Sequence, residues 1–191
     1  MTDDFNANSN AIETVQEAFV DIIGDVEVEF RLAKLDPEGN CTNGVVRTLS
    51  ILTTSGGENL KTVSPIWDRS KYMNIWVCKN IASGAAGYTY YPSSLAGDFG
   101  ETNDGIVVRY DYVGSNGEST LGRSHVLSHE VGHWIDLPHL WGSTNAPDVE
   151  TNCDTDDGVA DTPNTIGWTS CNVYGESCGS LDNVENFMEY S

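Results

Sequence analysis

Histidines are the residues of this chain whose type and spacing point most directly to chemistry. The segment HEVGHWIDLPH, residues 129–139, contains three of the four. His129 and His133 are four residues apart, so on a helix their rings project to the same side and can bind one ion. Pro138 is typical of a chain whose helix has already ended. The chain can then turn back and supply His139 as a third ligand.

A zinc ion held by three histidines could catalyse hydrolysis. Three neutral imidazoles leave a tetrahedral Zn²⁺ with one open position for water. Zinc lowers the pKa of that water, and Glu130 can accept its proton as a general base. His125 extends the helical row by one more step, but eight residues of helix rise about 12 Å, too far for a shared zinc. We therefore expect one zinc on His129, His133 and His139, and a structural role for His125. The alternative is a helix that carries core histidines.

Composition and charge narrow the class of protein. The chain has 191 residues, 39% of them hydrophobic and 20% charged, which suits one globular domain. Its net charge of −20 repels phosphate, so we expect no nucleic-acid partner and no binding to anionic membranes. No apolar run is long enough for a membrane span. The charge fits calcium sites or basic substrates, and it equally fits solubility alone.

The cysteines indicate an oxidising compartment. None belongs to a C-x-x-C pair, which argues against a cysteine zinc knuckle or a thioredoxin-type site. Their spread over loop-like segments suggests disulfides, and the odd count leaves one unpaired; the alternative is a cytosolic protein with free thiols. The first ten residues do not resemble a signal peptide. We interpret the chain as the mature part of a secreted protein whose upstream segments have been removed.

Hydrophobic periodicity predicts an α/β half followed by an irregular half. Helical patterns cover residues 10–23, with Asn10 as a candidate cap, and residues 123–135. Residues 26–32 alternate as a half-buried strand does. Three further strands are expected at residues 73–78, 86–91 and 105–113. From Trp141 to Asn186 the chain is rich in Asp, Asn, Thr, Gly and Cys. We therefore divide it into residues 1–140, with the sheet and the histidine helix, and 141–191.

An acidic loop follows the histidines. Such a density of carboxylates repels itself unless a cation lies among them. Calcium takes six to eight oxygen ligands from flexible loops, and the alternative is a plain solvated loop. The acids of this loop are Asp148, Glu150, Asp154, Asp156, Asp157 and Asp161.

The wider sequence resembles one peptidase family. HEVGHWIDLPHLWG resembles the long zinc motif H-E-x-x-H-x-x-G-x-x-H of the metzincins, and NFMEYS at residues 186–191 resembles their Met-turn. With DGVADTP at 157–163 and the upstream segments NIWVC, GYTYYP and GIVVRYDYVGS, the chain is similar to the pappalysin family, ulilysin-type enzymes included. The similarity covers most of residues 26–191. It implies a metzincin-type α/β catalytic domain, with a twisted mixed sheet and helices above an irregular C-terminal subdomain.

The resemblance also implies a function. It indicates a secreted zinc-dependent endopeptidase, made as a zymogen and released by removal of a signal and a pro-segment. A protein or peptide substrate would lie extended in a cleft, and we expect a monomer. Met188 would form the floor beneath the zinc, and Tyr190 would stabilise the oxyanion of the tetrahedral intermediate.

Further site residues follow from the same resemblance. An edge strand would pair with the substrate backbone, unless it is an ordinary strand. Its candidates are Gly87, Tyr88, Thr89 and Tyr90. Structural calcium is expected in the acidic loop, with Asp154, Asp156, Asp157 and Asp161 as candidate ligands. Cys153 and Cys178 resemble a bridged pair of the family, Cys41 with Cys78 is a second candidate pair, and Cys171 would be left over.

One position departs from the family motif. Asp136 stands where the motif has Gly, at a turn that is expected to need a positive φ. Asp is one of the few other residues that tolerate this backbone, so we expect the turn to survive. This departure, together with a sequence that ends at Ser191 just after the Met-turn, leaves one alternative function, a peptide-binding module on a protease-like fold with impaired catalysis. The presence of all three histidines and of Glu130 favours the enzyme.

Overall fold

The computed structural model describes residues 1–191, apart from the side chain of Asn10. The chain forms two compact units. One combines Met1–Val28 with Leu137–Ser191, and the other is Glu29–Asp136. The subdomain division expected from the sequence, at residue 140, stays a prediction.

Helices and strands are short. The α-helices are α1 Thr2–Phe5, α2 Asn59–Val63, α3 Gly97–Asn103, α4 Leu121–Ser124 and α5 Val126–Trp134. The strands are β1 Ile75–Cys78, β2 Gly87–Tyr88, β3 Ile106–Arg109, β4 Glu176–Ser177 and β5 Ser180–Leu181. Short 3₁₀ helices complete the list: Asn10–Thr14, Glu17–Ile22, Ile51–Ser55, Pro92–Ser94, Tyr110–Tyr112 and Glu150–Asp154. None of the described helices is long and apolar enough to cross a membrane.

A three-stranded mixed sheet organises the unit Glu29–Asp136. Its strand order is β1-β3-β2, with β1 parallel and β2 antiparallel to β3. The central strand β3 is a continuous apolar run, and Ile106, Val107 and Val108 are fully buried, as expected for a strand covered on both faces. Helix α5 packs against β2 and β3. Strands β1 and β2 are therefore the two edges, and β2 is an edge strand next to the helix that carries the histidines.

The other unit has little regular structure. Its buried residues include Leu140, Trp141 and Val184, and its one strand pair is the antiparallel β4–β5 hairpin. Gln16 ties the first residues of the chain to the last third, because its side-chain amide donates to the carbonyl oxygens of Val173 and Asp182 at 2.9 and 3.0 Å. This unit is therefore stabilised by buried side chains and by hydrogen bonds between loops more than by a sheet.

The mixed α/β class is confirmed, and so is each of the three strands, although in shortened form. The predicted strand at residues 26–32 is wrong. Val26 and Leu32 are 52% and 62% exposed, and the backbone N–H of Val26 donates to Phe5 instead of a strand. Alternation is compatible with a strand, but a strand also needs a ladder partner, and the described residues supply none here.

The predicted helices also differ in detail. Residues 10–23 form two 3₁₀ segments instead of one α-helix, and the cap expected from Asn10 lies outside the described residues. The predicted helix 123–135 is divided at His125, where α4 ends and α5 begins. Thr120 caps α4, since its hydroxyl accepts from the N–H of Arg123.

Candidate metal centre

Helix α5 carries the first two histidines and Glu130. One turn of helix separates His129 from His133, and their ring centroids are 4.6 Å apart. All three side chains are buried. The spacing thus places two imidazoles and one carboxyl together in the protein interior, beside the edge strand.

A sharp turn at Asp136 follows the helix. The last helical bonds run from the N–H of Ile135 to Val131 and from the N–H of Asp136 to His133. Asp136 then takes φ = 80°, in the left-handed region. The left-handed conformation predicted for Asp136 is therefore confirmed, and a continuing helix is avoided. Asp136, one of the two features on which the impaired-module alternative depended, does not disturb the turn.

His139 is the most buried of the candidate ligands, at 1% exposure. Its Nδ1 lies 2.9 Å from the carbonyl oxygen of Thr144, which can only accept a hydrogen bond. The proton of the neutral ring is therefore on Nδ1, and the lone pair of Nε2 is available to a metal. The ring also stacks on Trp141 at 4.4 Å with an interplanar angle of 4°.

The side-chain ligand atoms of His129, His133 and His139 all lie within 4.8 Å of one another. Three nitrogen atoms at this spacing, from neutral imidazoles, fit a tetrahedral zinc with one open position. His125 does not belong to this group. The set matches the ligands predicted from sequence, and zinc is the metal that it suits.

Glu130 has a carboxyl group without a full set of hydrogen bonds. The side chain is 5% exposed, and Oε2 is buried with no partner among the described residues. Burial raises the pKa of Glu130 to about 8. A site for a water molecule or an ion would leave a buried oxygen without a protein partner, and this oxygen lies one residue from a candidate metal ligand.

The segment after Asn186 forms a tight turn that holds Met188 and Tyr190. Asn186 closes it, with its side chain accepting from the N–H of Met188 at 2.9 Å and its carbonyl from the N–H of Glu189 at 3.0 Å. Met188 is buried. The ring of Tyr190 meets that of His139 edge-on at 4.7 Å. The roles of Met188 and Tyr190 stay predictions.

The candidate substrate strand is only partly a strand. Gly87 and Tyr88 pair with β3, whereas Thr89 and Tyr90 lie beyond the ladder. Thr89 donates its hydroxyl to the carbonyl of Gly105 at 3.1 Å, and Tyr90 packs edge-on against Phe99 at 5.3 Å. Substrate pairing along this segment stays a prediction.

In the described part of the chain, the acidic loop does not form a group of three side-chain ligand atoms like that of the histidines. Asp154, Asp156 and Asp161 are exposed. Asp157 is half-buried and accepts from the hydroxyl of Thr162 and the N–H of Val159 at 2.8 and 2.9 Å. Calcium on these residues stays a prediction.

Of the two candidate disulfides, one is present. Cys153 and Cys178 are bonded, with their Cα atoms 5.2 Å apart. The predicted Cys41–Cys78 bridge is wrong, since both are free thiols. Cys78 is buried in the core of the sheet with Leu60, Trp76, Ile81 and Val107, whereas Cys41 is exposed. Cys171 is free, as predicted.

Sequence reasoning missed the support of His139. Trp141 belongs to the HLWG segment, and its indole N–H donates to the same Thr144 carbonyl at 2.9 Å. A large aromatic residue two positions after a ligand was the available signal. The backbone carbonyl itself has no signature in the sequence.

Known proteins resemble this chain in sequence and in fold. Proteins named extracellular metalloprotease from Verticillium alfalfae and Coccidioides posadasii are 30% and 34% identical over 129 and 126 residues. These matches cover 63% and 62% of this chain, and the chain spans 42% of each relative. Mature mirolysin of Tannerella forsythia, solved with a cleaved peptide, superposes with a TM-score of 0.80 at 29% identity, over 99% of this chain and 72% of mirolysin.

A second mirolysin structure, in complex with a compound, gives a TM-score of 0.83 at 31% identity, with the same coverage. The metzincin fold of mirolysin is thus the fold of this chain. The family model described as pregnancy-associated plasma protein-A matches residues 56–191, more than half of the chain. The protein therefore belongs to this family of peptidases, the pappalysins.

Proposed function

We propose that this chain is the catalytic region of a zinc-dependent endopeptidase. The observation that carries the proposal is the buried group of His129, His133 and His139 beside the carboxyl of Glu130. When bound, zinc would polarise the scissile carbonyl and acidify a water molecule. The helical pair and the third histidine after the turn would hold the ion, with Nε2 of His139 directed by the Thr144 carbonyl.

Glu130 is the proposed general base. Its carboxylate takes the proton of the attacking water and then returns it to the amine that leaves. A buried carboxylate is a stronger base than a solvated one, which suits the first of these steps. Tyr190 lies against His139, and its hydroxyl is the proposed donor to the oxyanion.

The proposed substrate is an extended peptide. Strand β2 is an edge strand, and its free side can pair with a substrate backbone. The cleaved peptide in the mirolysin complex supports this class of substrate. A net charge of −20 would favour basic peptides at long range. The names of the relatives support action outside the cell. Removal of a signal and a pro-segment beforehand is a further part of the proposal.

Calcium is a further part of the proposal, on the loop that includes Asp154, Asp156, Asp157 and Asp161. If calcium binds there, millimolar CaCl₂ will raise the melting temperature of the zinc-loaded protein, and MgCl₂ at equal ionic strength will not. Equal melting curves in both salts would remove calcium from the proposal.

The decisive experiment compares the parent with Glu130→Gln, which keeps the shape and removes the base. Casein hydrolysis should fall by about 100-fold or more, while one zinc per chain remains bound. Glu118→Gln, at an exposed position, is the matched control and should leave turnover unchanged. A parent that is loaded with zinc, binds peptides and does not cleave them would instead favour the impaired binding module.

A further inference from the structure

Gly87 lies directly against the side chain of Glu130. A Cβ atom added at Gly87 would stand 2.9 Å from Oε1, 3.0 Å from Cγ and 3.2 Å from Cδ of Glu130. Carbon and oxygen atoms in ordinary contact are farther apart than this. Gly87 does not have a positive φ, so its backbone does not require glycine. The requirement is one of space, and it is set by the side chain of Glu130.

The strand at Gly87 is held firmly in place. Its neighbour Tyr88 donates its hydroxyl to Oε1 of Glu58 at 2.6 Å. Lys61, whose side chain is 2% exposed, pairs with Oε2 of Glu58 at 2.9 Å and donates to the carbonyl of Asn103 at 2.6 Å. On the other side β2 is bonded to β3, with Gly87 opposite Val108. An added methyl group would therefore displace Glu130 more readily than the strand.

We infer that Gly87 is a positioning residue, whose missing side chain fixes where the carboxyl group of Glu130 rests. The bare backbone of β2 acts as a stop on one side of the carboxyl, and the buried surroundings of Glu130 limit its movement elsewhere. The packing stands on the geometry alone, and its consequence for turnover rests on the proposed function. A displacement of about 1 Å at a general base is enough to slow catalysis by about 100-fold.

The packing is tested first on the metal-free protein, as a double-mutant cycle of Gly87→Ala and Glu130→Ala followed by thermal unfolding. Gly87→Ala alone should lower the melting temperature by roughly 3 °C or more. In the Glu130→Ala background the same change should lower it by less than about 1 °C, because the clashing atoms are gone. Gly122→Ala is the matched control, since Gly122 has open space at its Cβ position and should not couple to Glu130.

The zinc-loaded enzyme provides the second readout. Gly87→Ala should lower kcat by about 10-fold to 100-fold, with KM within about twofold and one zinc still bound. Equal losses of melting temperature with and without Glu130, or no loss in either background, would overturn the inference. If Gly87→Ala cannot be recovered folded, the double variant should fold as well as Glu130→Ala, and its failure to do so would also overturn it. Coupling in the metal-free protein together with an inactive parent would support the packing and refute the proposed function.

Discussion

The Nδ1 atom of His139 and the carbonyl oxygen of Thr144 are 2.9 Å apart, and this bond directs the third candidate ligand. A carbonyl accepts only, so the ring must carry its proton on Nδ1 and offer Nε2. Trp141 shares the same carbonyl and stacks on the ring. One peptide group thus fixes both the tautomer and the orientation of the imidazole.

Trp141 should therefore matter to the metal as well as to folding. Trp141→Ala should destabilise the protein by about 3–5 kcal/mol, because it empties a fully buried site. It should also weaken zinc binding by about 10-fold or more, because His139 loses its stacking partner. Trp141→Phe keeps an aromatic face and removes the N–H, so its loss should be nearer 1 kcal/mol, with zinc affinity almost unchanged. Urea unfolding and zinc competition against a chelating dye measure the two effects, and equal zinc affinity in Trp141→Ala would contradict this role.

Helix α5 and the turn after it could be predicted from sequence because the residues that specify them are close together in the chain. The i, i+4 spacing of His129 and His133 requires only that the segment be helical, and the turn requires only a residue that tolerates positive φ. The apolar runs at β1 and β3 also predicted both strands from the sequence alone. The carbonyl that supports His139 is close in sequence but has no signature there, and the packing of Gly87 on Glu130 depends on where a backbone that is distant in sequence passes.

Pairing between distant segments accounts for the errors. The strand expected at residues 26–32 has the correct alternation but no ladder partner in the described structure, so its pattern alone was insufficient. The predicted Cys41–Cys78 bridge failed because the sequence around each cysteine does not indicate how far apart the two lie in the fold. Cys78 belongs to a β-strand that faces the core, where a thiol packs as a small apolar group.

The corrected cysteine assignment predicts a thiol count. Cys41 and Cys171 are exposed, so two thiols should react with Ellman's reagent in the native protein. Unfolding in denaturant without reductant should expose Cys78 and raise the count to three. One reactive thiol under denaturation would show a second bridge among Cys41, Cys78 and Cys171, and five would contradict the Cys153–Cys178 bridge.

The backbone of Asp136 has φ = 80°, and we expect two substitutions at this position to change stability in opposite directions. Asp136→Gly removes the side-chain strain and should stabilise the protein by up to about 1 kcal/mol, partly offset by the greater freedom of glycine in the unfolded chain. Asp136→Val should destabilise it by more than that, because a β-branched residue resists this backbone. Zinc content should stay at one per chain in Asp136→Gly. Denaturant unfolding tests both, and a Val variant as stable as the parent would show that the turn does not depend on φ at this residue.

The buried carboxyl of Glu189 should make the free energy of unfolding depend on pH. The side chain is 6% exposed; its Oε2 accepts from the N–H of Trp168 at 2.9 Å, and its Oε1 is buried without a partner among the described residues. Burial raises the pKa of Glu189 to about 7, and repulsion from Asp182 and Asp148 acts in the same direction. A carboxyl whose pKa is higher in the folded state favours folding while it is protonated. Its contribution is therefore complete below about pH 4.5 and is lost as the pH rises through 7.

Glu189→Gln should remove this dependence. The amide oxygen can still accept from Trp168, and the amide nitrogen carries no charge to be repelled by the neighbouring carboxylates. The variant should be more stable than the parent at pH 8 by up to roughly 3 kcal/mol, and the difference should shrink towards pH 5. Glu130, whose pKa is also raised by burial, titrates at higher pH than an ordinary carboxyl, so the measurement is the difference in unfolding free energy between variant and parent at each pH. Glu176→Gln, at an exposed position, should give no such trend. A Glu189→Gln difference that stays constant from pH 5 to pH 8 would mean that Glu189 is already ionised throughout this range in the folded protein.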